Sequence, residues 1–472
     1  MGDRIATTPL WTSREIAAAT GGSTSGDFSA TGVSIDTRSL EPGDLFIALA
    51  GARDGHDFVD LAMRKGASGV LSSQAVAAPS VVVADTMAAL ELLGSAARKR
   101  AVNARRGAVT GSVGKTSVTQ AVMAGLSLAG RAHSSVKSYN NHIGVPLTLA
   151  RMRRDAERAV FEVGMNHADE IRPLSRMVRP HAVLVTTVGP VHTENFPDGE
   201  LGVARAKAEI FEGLESGGVA ILNADNSWFD LLNAEAQRVG AVVRTFGKGA
   251  DCDAQLIDFA VAGPKAVISA RWRGKVLDFP ILQTGLHWGL NSMAVLLMLE
   301  ALDVTLDDGL AALGSFEPLV GRGAEVAVRL AKGAFTLIDE SYNAKPISMA
   351  SAIATLGARK TAARRIVALT DMLELGPEAN GLHAAIATAL DAASIDLVFC
   401  AGPLMKSLWD ALPPTQRGGY AKAASDLAPQ LAGAVQAGDV VMVKGSKGSE
   451  ASVVAEALTA LGAPGAGLGE AG

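Results

Sequence analysis

The stretch "TGSVGKTS", Thr110–Ser117, decides how this sequence is interpreted. A short apolar run precedes it, and a helical pattern follows with Val118, Val122 and Leu126 four residues apart on one face. Glycines at such a junction let backbone N–H groups converge on an anion at the N-terminus of a helix. The stretch therefore predicts a phosphate-binding loop between a strand and a helix.

The loop is shorter than the usual pattern, because Val109 stands where that pattern has its first glycine. The strand before it is also thin, since it contains Gly107. We expect Lys115 to reach the terminal phosphates of a nucleotide and the Thr116 hydroxyl to bind Mg²⁺. The alternative is a glycine-rich turn capped by a hydroxyl side chain. The predicted phosphate contacts are Gly111, Ser112, Gly114, Lys115, Thr116 and Ser117.

Composition limits the possible functions. With 472 residues, 48% hydrophobic and 19% charged, the chain is expected to form a globular protein of several domains. The net charge of −5 gives no basic field for nucleic acid. Cys252 and Cys400 stand far apart, which favours free thiols over a disulfide or a zinc site. No long apolar run is present, so we expect a cytoplasmic protein without membrane insertion.

Short apolar runs alternate with helical stretches, which predicts an α/β fold with largely parallel sheets. A helical segment from Asp85 to Arg106 ends in the basic run "RKRAVNARR" and leads to the phosphate loop. The glycines and proline of "LGSFEPLVGRG" indicate a linker before a second α/β series. We expect three domains, at 1–84, 85–316 and 317–472, with a disordered tail at about 463–472.

Two side chains are candidate Mg²⁺ ligands beside the loop. Glu162 ends the predicted strand "AVFEVG", and His192 follows the next apolar strand in "VGPVHTENF". The carboxyl ends of parallel strands meet at one edge of a sheet, where open α/β sheets bind ligands. The alternatives are a solvated glutamate at a strand end and a histidine that only forms structural hydrogen bonds.

Six phrases occur in an order that resembles the Mur ligases, the ATP-dependent enzymes that build the peptidoglycan stem peptide. They are "TGSVGKTS", "EVGMN", "VHTENF", "ARAKAEI", "GLHWGLNSMA" and "DESYNA". The shortened loop is the normal form in that family. The resemblance covers residues 30–450 and implies a UDP-substrate-binding domain, a central ATPase domain and a Rossmann-like C-terminal domain.

The resemblance assigns a role to Lys207, in "ARAKAEI". In this family the corresponding lysine carries a CO₂-derived carbamate that helps to hold a second Mg²⁺. A bare ammonium about 4 Å from Mg²⁺ would be repelled by roughly 8 kcal/mol at an effective dielectric constant of 20. A carbamate would instead supply oxygen, the ligand atom that Mg²⁺ prefers. The alternative is an exposed lysine on a helix.

Further site residues follow from the same resemblance. It implies adenine contacts from "HWGLN" and nucleotide contacts from the C-terminal domain, at His287, Asn291, Arg322 and Asp339. The residues expected at the UDP-substrate are Ser34, Thr37, Arg38, Asp57, Asn140 and Asn141. A planar guanidinium such as that of Arg38 suits a diphosphate. Acceptor-side candidates are Asn343, Asp371 and Lys444.

Three positions in the C-terminal domain depart from the family pattern. Lys345 stands where asparagine is usual, Thr370 stands where glycine is usual, and the segment 447–452 lacks the common arginine and methionine. These departures bear on the acceptor more than on ATP. The residues expected to be catalytic, Lys115, Lys207 and His192, lie outside these three positions.

"YNNHIGVPLTL" and "SYNAKPISMASA" are most similar to the branch of the family that joins D-alanyl-D-alanine to UDP-MurNAc-tripeptide. That branch implies a ligase that forms an acyl phosphate. We expect a monomer, because nothing in the sequence suggests a large exposed apolar seam. The nearest alternative is the branch that adds a diamino acid to the UDP-dipeptide, whose Asp-Asn-Pro-Arg phrase is absent. Folylpolyglutamate synthase lacks the N-terminal stretch. A phosphate-loop NTPase switch, or a nucleotide-binding scaffold without ligase activity, is the alternative from a different class.

Overall fold

The computed structural model describes residues 8–51, 53–136, 138–262, 265–359 and 361–462, and the tail predicted at 463–472 lies outside them. The chain forms three main sheets, and helices pack on each of them. The predicted α/β class with mostly parallel sheets is confirmed. No helix among the described residues combines the length and apolar character that crossing a membrane requires.

The N-terminal sheet has the strand order β2-β7-β6-β5-β4, and β1 pairs with β3 beside it. Its parallel strands β4 to β7 are bordered by the antiparallel β2. The strands are β1 Trp11–Thr12, β2 Ser23–Thr24, β3 Ser29–Ala30, β4 Gly32–Ser34, β5 Asp44–Ile47, β6 Gly69–Ser72 and β7 Ser80–Val82. The helices are α1 Ser13–Thr20, α2 Val59–Arg64 and α3 Thr86–Arg100.

The central sheet has nine strands in the order β16-β15-β14-β13-β12-β11-β8-β10-β9, and only β14 to β16 run antiparallel to one another. The strands are β8 Arg105–Thr110, β9 Ala132–Ser134, β10 Arg158–Glu162, β11 Ala182–Val185, β12 Val219–Asn223, β13 Val242–Gly247, β14 Ala254–Ala262, β15 Lys265–Trp272 and β16 Lys275–Ile281. The helices are α4 Lys115–Leu128, α5 Gly144–Ala150, α6 Ile171–Val178, α7 Glu200–Ala208, α8 Phe229–Arg238, α9 Trp288–Ala301 and α10 Leu306–Ser315.

The C-terminal sheet has the order β17-β18-β22-β19-β20-β21, in which only β17 is antiparallel. The strands are β17 Ala324–Arg329, β18 Ala334–Glu340, β19 Arg365–Thr370, β20 Leu397–Ala401, β21 Arg417–Ala421 and β22 Val440–Lys444. The helices are α11 Pro346–Gly357, α12 Ala379–Ala392, α13 Met405–Ala411, α14 Ala424–Ala434 and α15 Ala451–Ala460. A separate hydrophobic cluster covers each face of this sheet, as expected when helices pack on both sides.

The strand that feeds the phosphate loop is not weak, contrary to the prediction. It has six residues and lies in the interior of the sheet, hydrogen-bonded to β10 and β11. Gly107 has a packing role, because a Cβ atom there would lie 2.8 Å from the Met298 sulfur and 3.0 Å from Leu302. The glycine therefore lets helix α9 approach the strand closely.

The helix predicted from Asp85 to Arg106 is shorter than expected. The Asp85 carboxylate accepts the Met87 and Ala88 N–H groups and starts α3, which ends at Arg100, and Arg105–Thr110 is a strand instead. Buried side chains of α3 share one cluster with both the N-terminal sheet and α5. Because α3 packs against both regions, the boundaries at 1–84, 85–316 and 317–472 stay a proposal.

The C-terminal sheet lies against the phosphate-loop end of the central sheet. The Ser138 and Tyr342 hydroxyls are 2.7 Å apart across this junction. Leu286 N–H donates to the Thr355 hydroxyl at 3.2 Å. Gly189 leaves room for the Ile347 side chain, which a Cβ atom would meet at 1.8 Å. The two regions thus enclose the loop between them.

Candidate functional site

The phosphate loop occupies the turn between β8 and α4. Gly111 and Gly114 have φ values of +149° and +85°, which side-chain-bearing residues rarely adopt. Neighbouring side chains fix the rest of the loop: the Ser112 hydroxyl donates to Gly189 O at 3.0 Å, and the Thr186 hydroxyl donates to Val113 O at 2.6 Å. The loop therefore presents backbone N–H groups at the N-terminus of α4, as predicted for an anion site.

Lys115 begins α4 and folds back over the loop. Its Nζ donates to Gly111 O at 2.7 Å. Burial lowers the pKa of the Lys115 ammonium, and the nearby Glu162 carboxylate opposes that shift. A buried ammonium with few partners is positioned to neutralise an incoming phosphate.

Glu162 ends β10 beside β8 and is only 1% exposed. Its Oε1 accepts the Asn140 amide N–H at 2.6 Å, whereas its Oε2 is buried without a hydrogen-bond partner among the described residues. A buried carboxylate oxygen normally has a partner, so this atom fits a cation ligand. The Thr116 hydroxyl, the other oxygen predicted to bind Mg²⁺, is 3.3 Å from the Ser138 hydroxyl.

His192 precedes a short turn and has a left-handed backbone, with φ of +55°. Burial, reinforced by nearby Lys345, lowers the pKa of His192 to about 4. The ring is therefore neutral at neutral pH, the form in which imidazole binds a metal. The Glu374 carboxylate lies 3.5 Å from its Nδ1.

Lys207 lies on α7 and is 2% exposed, which excludes the alternative of an exposed helix lysine. Burial, with a further contribution from Lys115, lowers the pKa of Lys207 well below its usual value. It forms no salt bridge with a described carboxylate. No described cluster contains three or more His, Cys, Asp or Glu side chains able to hold a metal, so a metal here would need other ligands.

A cleft of about 610 Å³ opens between the central and C-terminal regions. Its lining includes twelve predicted residues: Ser112, Gly114, Lys115, Thr116, Ser117, Asn140, Glu162, His287, Asn291, Arg322, Asn343 and Lys444. Ten other predicted residues do not line it: Ser34, Thr37, Arg38, Asp57, Gly111, Asn141, His192, Lys207, Asp339 and Asp371. His192 adjoins the cleft through Glu374, which does line it.

The residues predicted to contact the nucleotide come from both regions. Asn291 lies in the first turn of α9, and His287 lies immediately before that helix. Arg322 stacks on the Tyr342 ring at 3.9 Å. The Asp339 carboxylate instead accepts the Gly321 and Ser341 N–H groups, both at 3.0 Å. Asp339 therefore holds the loop that carries Arg322.

The residues predicted to bind the acceptor lie in the C-terminal region, and we call their part of the cleft the acceptor side. Lys444 Nζ donates to Glu340 Oε2 at 3.1 Å and to Asn343 O at 3.0 Å. The Asp371 carboxylate accepts the Met405 N–H at 2.8 Å at the start of α13. Asp371 thus has a structural partner, and its role toward the acceptor stays a prediction.

Residues expected at the UDP-substrate lie on the N-terminal sheet and near α5. Ser34 is buried at the end of β4, and exposed Arg38 forms an ion pair with Asp36 at 2.6 Å. Asp57 is exposed on a short turn. The Asn141 side chain accepts the Gly144 N–H at 2.9 Å. Thr37 is 8% exposed, and its carbonyl accepts the Lys65 ammonium at 2.7 Å.

Comparison with known proteins decides the family. Residues 29–110 match the description "Mur ligase family, catalytic domain", residues 109–299 "Mur ligase middle domain", and residues 326–447 "Mur ligase, glutamate ligase domain". The chain is 36% identical over 381 residues to UDP-N-acetylmuramoyl-tripeptide--D-alanyl-D-alanine ligase of Escherichia coli (strain K12), with 80% of this chain and 82% of that protein covered. The chain belongs to the Mur ligase family.

Other Mur ligases are also similar. The enzyme of the same name from Bacillus subtilis (strain 168) is 33% identical over 379 residues, covering 79% of this chain and 80% of that protein. The crystal structure of MurF from Acinetobacter baumannii has a TM-score of 0.84 and 25% identity, covering 96% and 99% of the two chains. The structure of MurF from Thermotoga maritima with ADP has a TM-score of 0.75, 22% identity and coverage of 91% and 97%, and supports the fold.

The departures from the Mur ligase pattern have partners in the structure. Lys345 Nζ donates to Glu374 Oε2 at 2.7 Å and to Leu373 O at 2.9 Å. The Thr370 and Ser449 hydroxyls are 2.7 Å apart. A Cβ atom on Gly445 would lie 1.7 Å from the Thr370 hydroxyl, so this threonine fills space beside the glycine.

Several residues that line the cleft of this Mur ligase were not predicted from the sequence, among them Ser138, Glu340, Tyr342 and Glu374. Glu340 and Tyr342 belong to the quoted phrase "DESYNA", and the end of a strand was the signal that could have selected them. Glu374 carried no such signal, because its position depends on how the two regions pack.

Proposed function

We propose that this Mur ligase joins D-alanyl-D-alanine to UDP-MurNAc-tripeptide with hydrolysis of ATP to ADP and phosphate. The observation that carries the proposal is the 36% identity, over 80% of this chain, to a relative that bears that activity in its name. The enclosed phosphate loop suits the chemistry, because an activated acyl group must be shielded from water.

In the proposed reaction the terminal carboxylate of the UDP-linked tripeptide attacks the γ-phosphate. The bond to the ADP oxygen breaks, and an acyl phosphate forms. The amine of D-alanyl-D-alanine then attacks the acyl carbon and loses a proton, and inorganic phosphate leaves with the bonding electron pair. Two anions meet in the first step, so the buried Lys115 ammonium and the N–H groups of the loop would stabilise the charge.

We infer that two Mg²⁺ ions would be held by the Thr116 hydroxyl, Glu162, His192 and a carbamate on Lys207. The partnerless Glu162 Oε2 and the neutral His192 ring support this assignment. The low pKa of Lys207 supports the carbamate, since only a neutral amine forms a bond with CO₂ and releases a proton. When bound, Mg²⁺ would supply positive charge that reduces the repulsion between the carboxylate and the γ-phosphate.

The remaining assignments are proposed from the same family. His287, Asn291 and Arg322 contact the nucleotide, with Asp339 placing Arg322. Ser34, Thr37, Arg38, Asp57, Asn140 and Asn141 contact the UDP-substrate, and Asn343, Asp371 and Lys444 serve the acceptor. We also propose that the enzyme acts as a monomer in the cytoplasm, which size-exclusion chromatography and cell fractionation would test.

The deciding experiment measures phosphate release with four substrate pairs. UDP-dipeptide and UDP-tripeptide are each combined with D-alanyl-D-alanine or a free diamino acid, in the presence of ATP and Mg²⁺. We expect release only with UDP-tripeptide and D-alanyl-D-alanine. Release with UDP-dipeptide and a diamino acid would favour the neighbouring branch of the family, and release without either substrate would indicate an NTPase switch.

A further inference from the structure

Glu374 is a cleft residue to which the proposed reaction gives no role. It lies in the loop after β19, and its φ of +61° places a non-glycine residue in the left-handed region. Such a conformation is unfavourable for a residue with a side chain and persists where the surroundings impose it. The contacts of its side chain indicate what it does.

The Glu374 carboxylate lies between two cationic or basic groups from different regions. Lys345, which is almost buried at the start of α11, donates to Oε2 at 2.7 Å. His192 Nδ1, from the central region, is 3.5 Å from the same oxygen. The Lys345 ammonium holds the pKa of Glu374 below its usual value, so the group is a carboxylate at neutral pH.

A carboxylate beside Nδ1 determines which ring nitrogen of a neutral histidine carries the proton. A proton on Nδ1 would face the carboxylate, and Nε2 would then keep its lone pair for a ligand. We propose that Glu374 is a positioning residue, which reaches across from the C-terminal region and fixes His192 with Nε2 free. The inference rests on the proposed function, in which His192 is a ligand of Mg²⁺.

The charges around His192 explain why Lys345 and Glu374 occur together. Lys115, Lys207 and Lys345 all act on the ring, and Glu374 is the carboxylate that opposes them. A lysine in place of the family's usual asparagine would add positive charge there, which Glu374 compensates. The Lys345–Glu374 pair therefore adds no net charge beside His192, and the contact of Glu374 with His192 joins the two regions.

The test is the state of the His192 ring in the full-length protein with ADP. Long-range ¹H–¹⁵N correlation spectra of ¹⁵N-histidine protein report the tautomer, and a His192→Gln variant identifies the signal among the eight histidines. We expect the Nδ1–H tautomer in the unmodified protein and a loss of that preference in Glu374→Ala. The dissociation constant for Mn²⁺ with ADP, from electron paramagnetic resonance, should rise about tenfold or more.

Two further variants sharpen the test. Glu374→Gln keeps an acceptor oxygen, so it should retain the Nδ1–H tautomer. Asp410→Asn alters a carboxylate that is as exposed as Glu374 and also pairs with a lysine, and it should match the unmodified protein. An unchanged ring spectrum and Mn²⁺ affinity in Glu374→Ala would overturn the inference, as would loss of the tautomer in Glu374→Gln or an equal effect of Asp410→Asn. The four-pair assay on the unmodified enzyme tests the proposed function separately.

Discussion

The phosphate loop and the acceptor side of the cleft are held together by different kinds of contact. In the loop, Lys115, Ser112 and Thr186 all donate to backbone carbonyls. On the acceptor side, side chains bind side chains, as in Lys444 with Glu340 and Thr370 with Ser449. A backbone-held site depends on glycine conformations and allows few substitutions. A site held by side-chain pairs can change two residues together, and the departures from the family pattern lie there.

The largest effect is expected from Lys115→Met. The variant removes the buried ammonium that faces the phosphates, so phosphate release with both substrates should fall by about a thousandfold. Methionine fills a similar volume, but the buried Glu162 carboxylate loses the nearby ammonium, so thermal unfolding should also show some destabilisation. A loss of tenfold or less in phosphate release would mean that the loop N–H groups alone neutralise the phosphates.

The conformational demand of the loop is tested by Gly111→Ala against Gly114→Ala. A Cβ atom at Gly111 would lie 1.9 Å from the Thr186 hydroxyl, whereas at Gly114 the nearest atom is 3.6 Å away. We expect a loss of about 3 kcal/mol in the free energy of unfolding for the first and about 1 kcal/mol for the second. Urea unfolding measures both, and equal losses would contradict the role given to close packing.

Lys444→Met tests the ion pair on the acceptor side. Glu340 would keep a mostly buried carboxylate without its partner, and the free energy of unfolding should fall by about 2 kcal/mol, less than for a fully buried charge. Adding Glu340→Gln should recover much of that loss, because the stranded charge is then removed. Urea unfolding of the double variant checks this, and a further additive loss would show that the pair is not the cause.

The smallest effect is expected from the Thr370–Ser449 contact. Thr370→Gly and Ser449→Ala should each destabilise the protein, with a coupling energy of about 1 kcal/mol between them in a double-mutant cycle. A coupling energy near zero would show that the two departures arose independently. Residues on the acceptor side of the cleft would then not form energetically coupled pairs.

The strand–loop–helix unit and the edge that carries Glu162 were predictable, because both follow from short-range patterns. The alternation of exposed and buried residues in β15 was also present in the sequence, although the antiparallel extension was not predicted. The burial of Lys207 and the contact of Glu374 with His192 were not predictable from the residues alone. Both depend on how distant elements pack, and no local periodicity reports that.

The absence of a side chain at Gly107 affects how far Asn291 stands from the phosphate loop. Met298, near the C-terminal end of helix α9, packs on Gly107. Asn291 lies in the first turn of the same helix. A helix transmits displacement along its axis with little bending, so the depth of contact at the strand sets how far Asn291 stands from the phosphate loop. In the proposed nucleotide site, one missing side chain in β8 would thereby help to set the separation between the base contact at Asn291 and the phosphate loop.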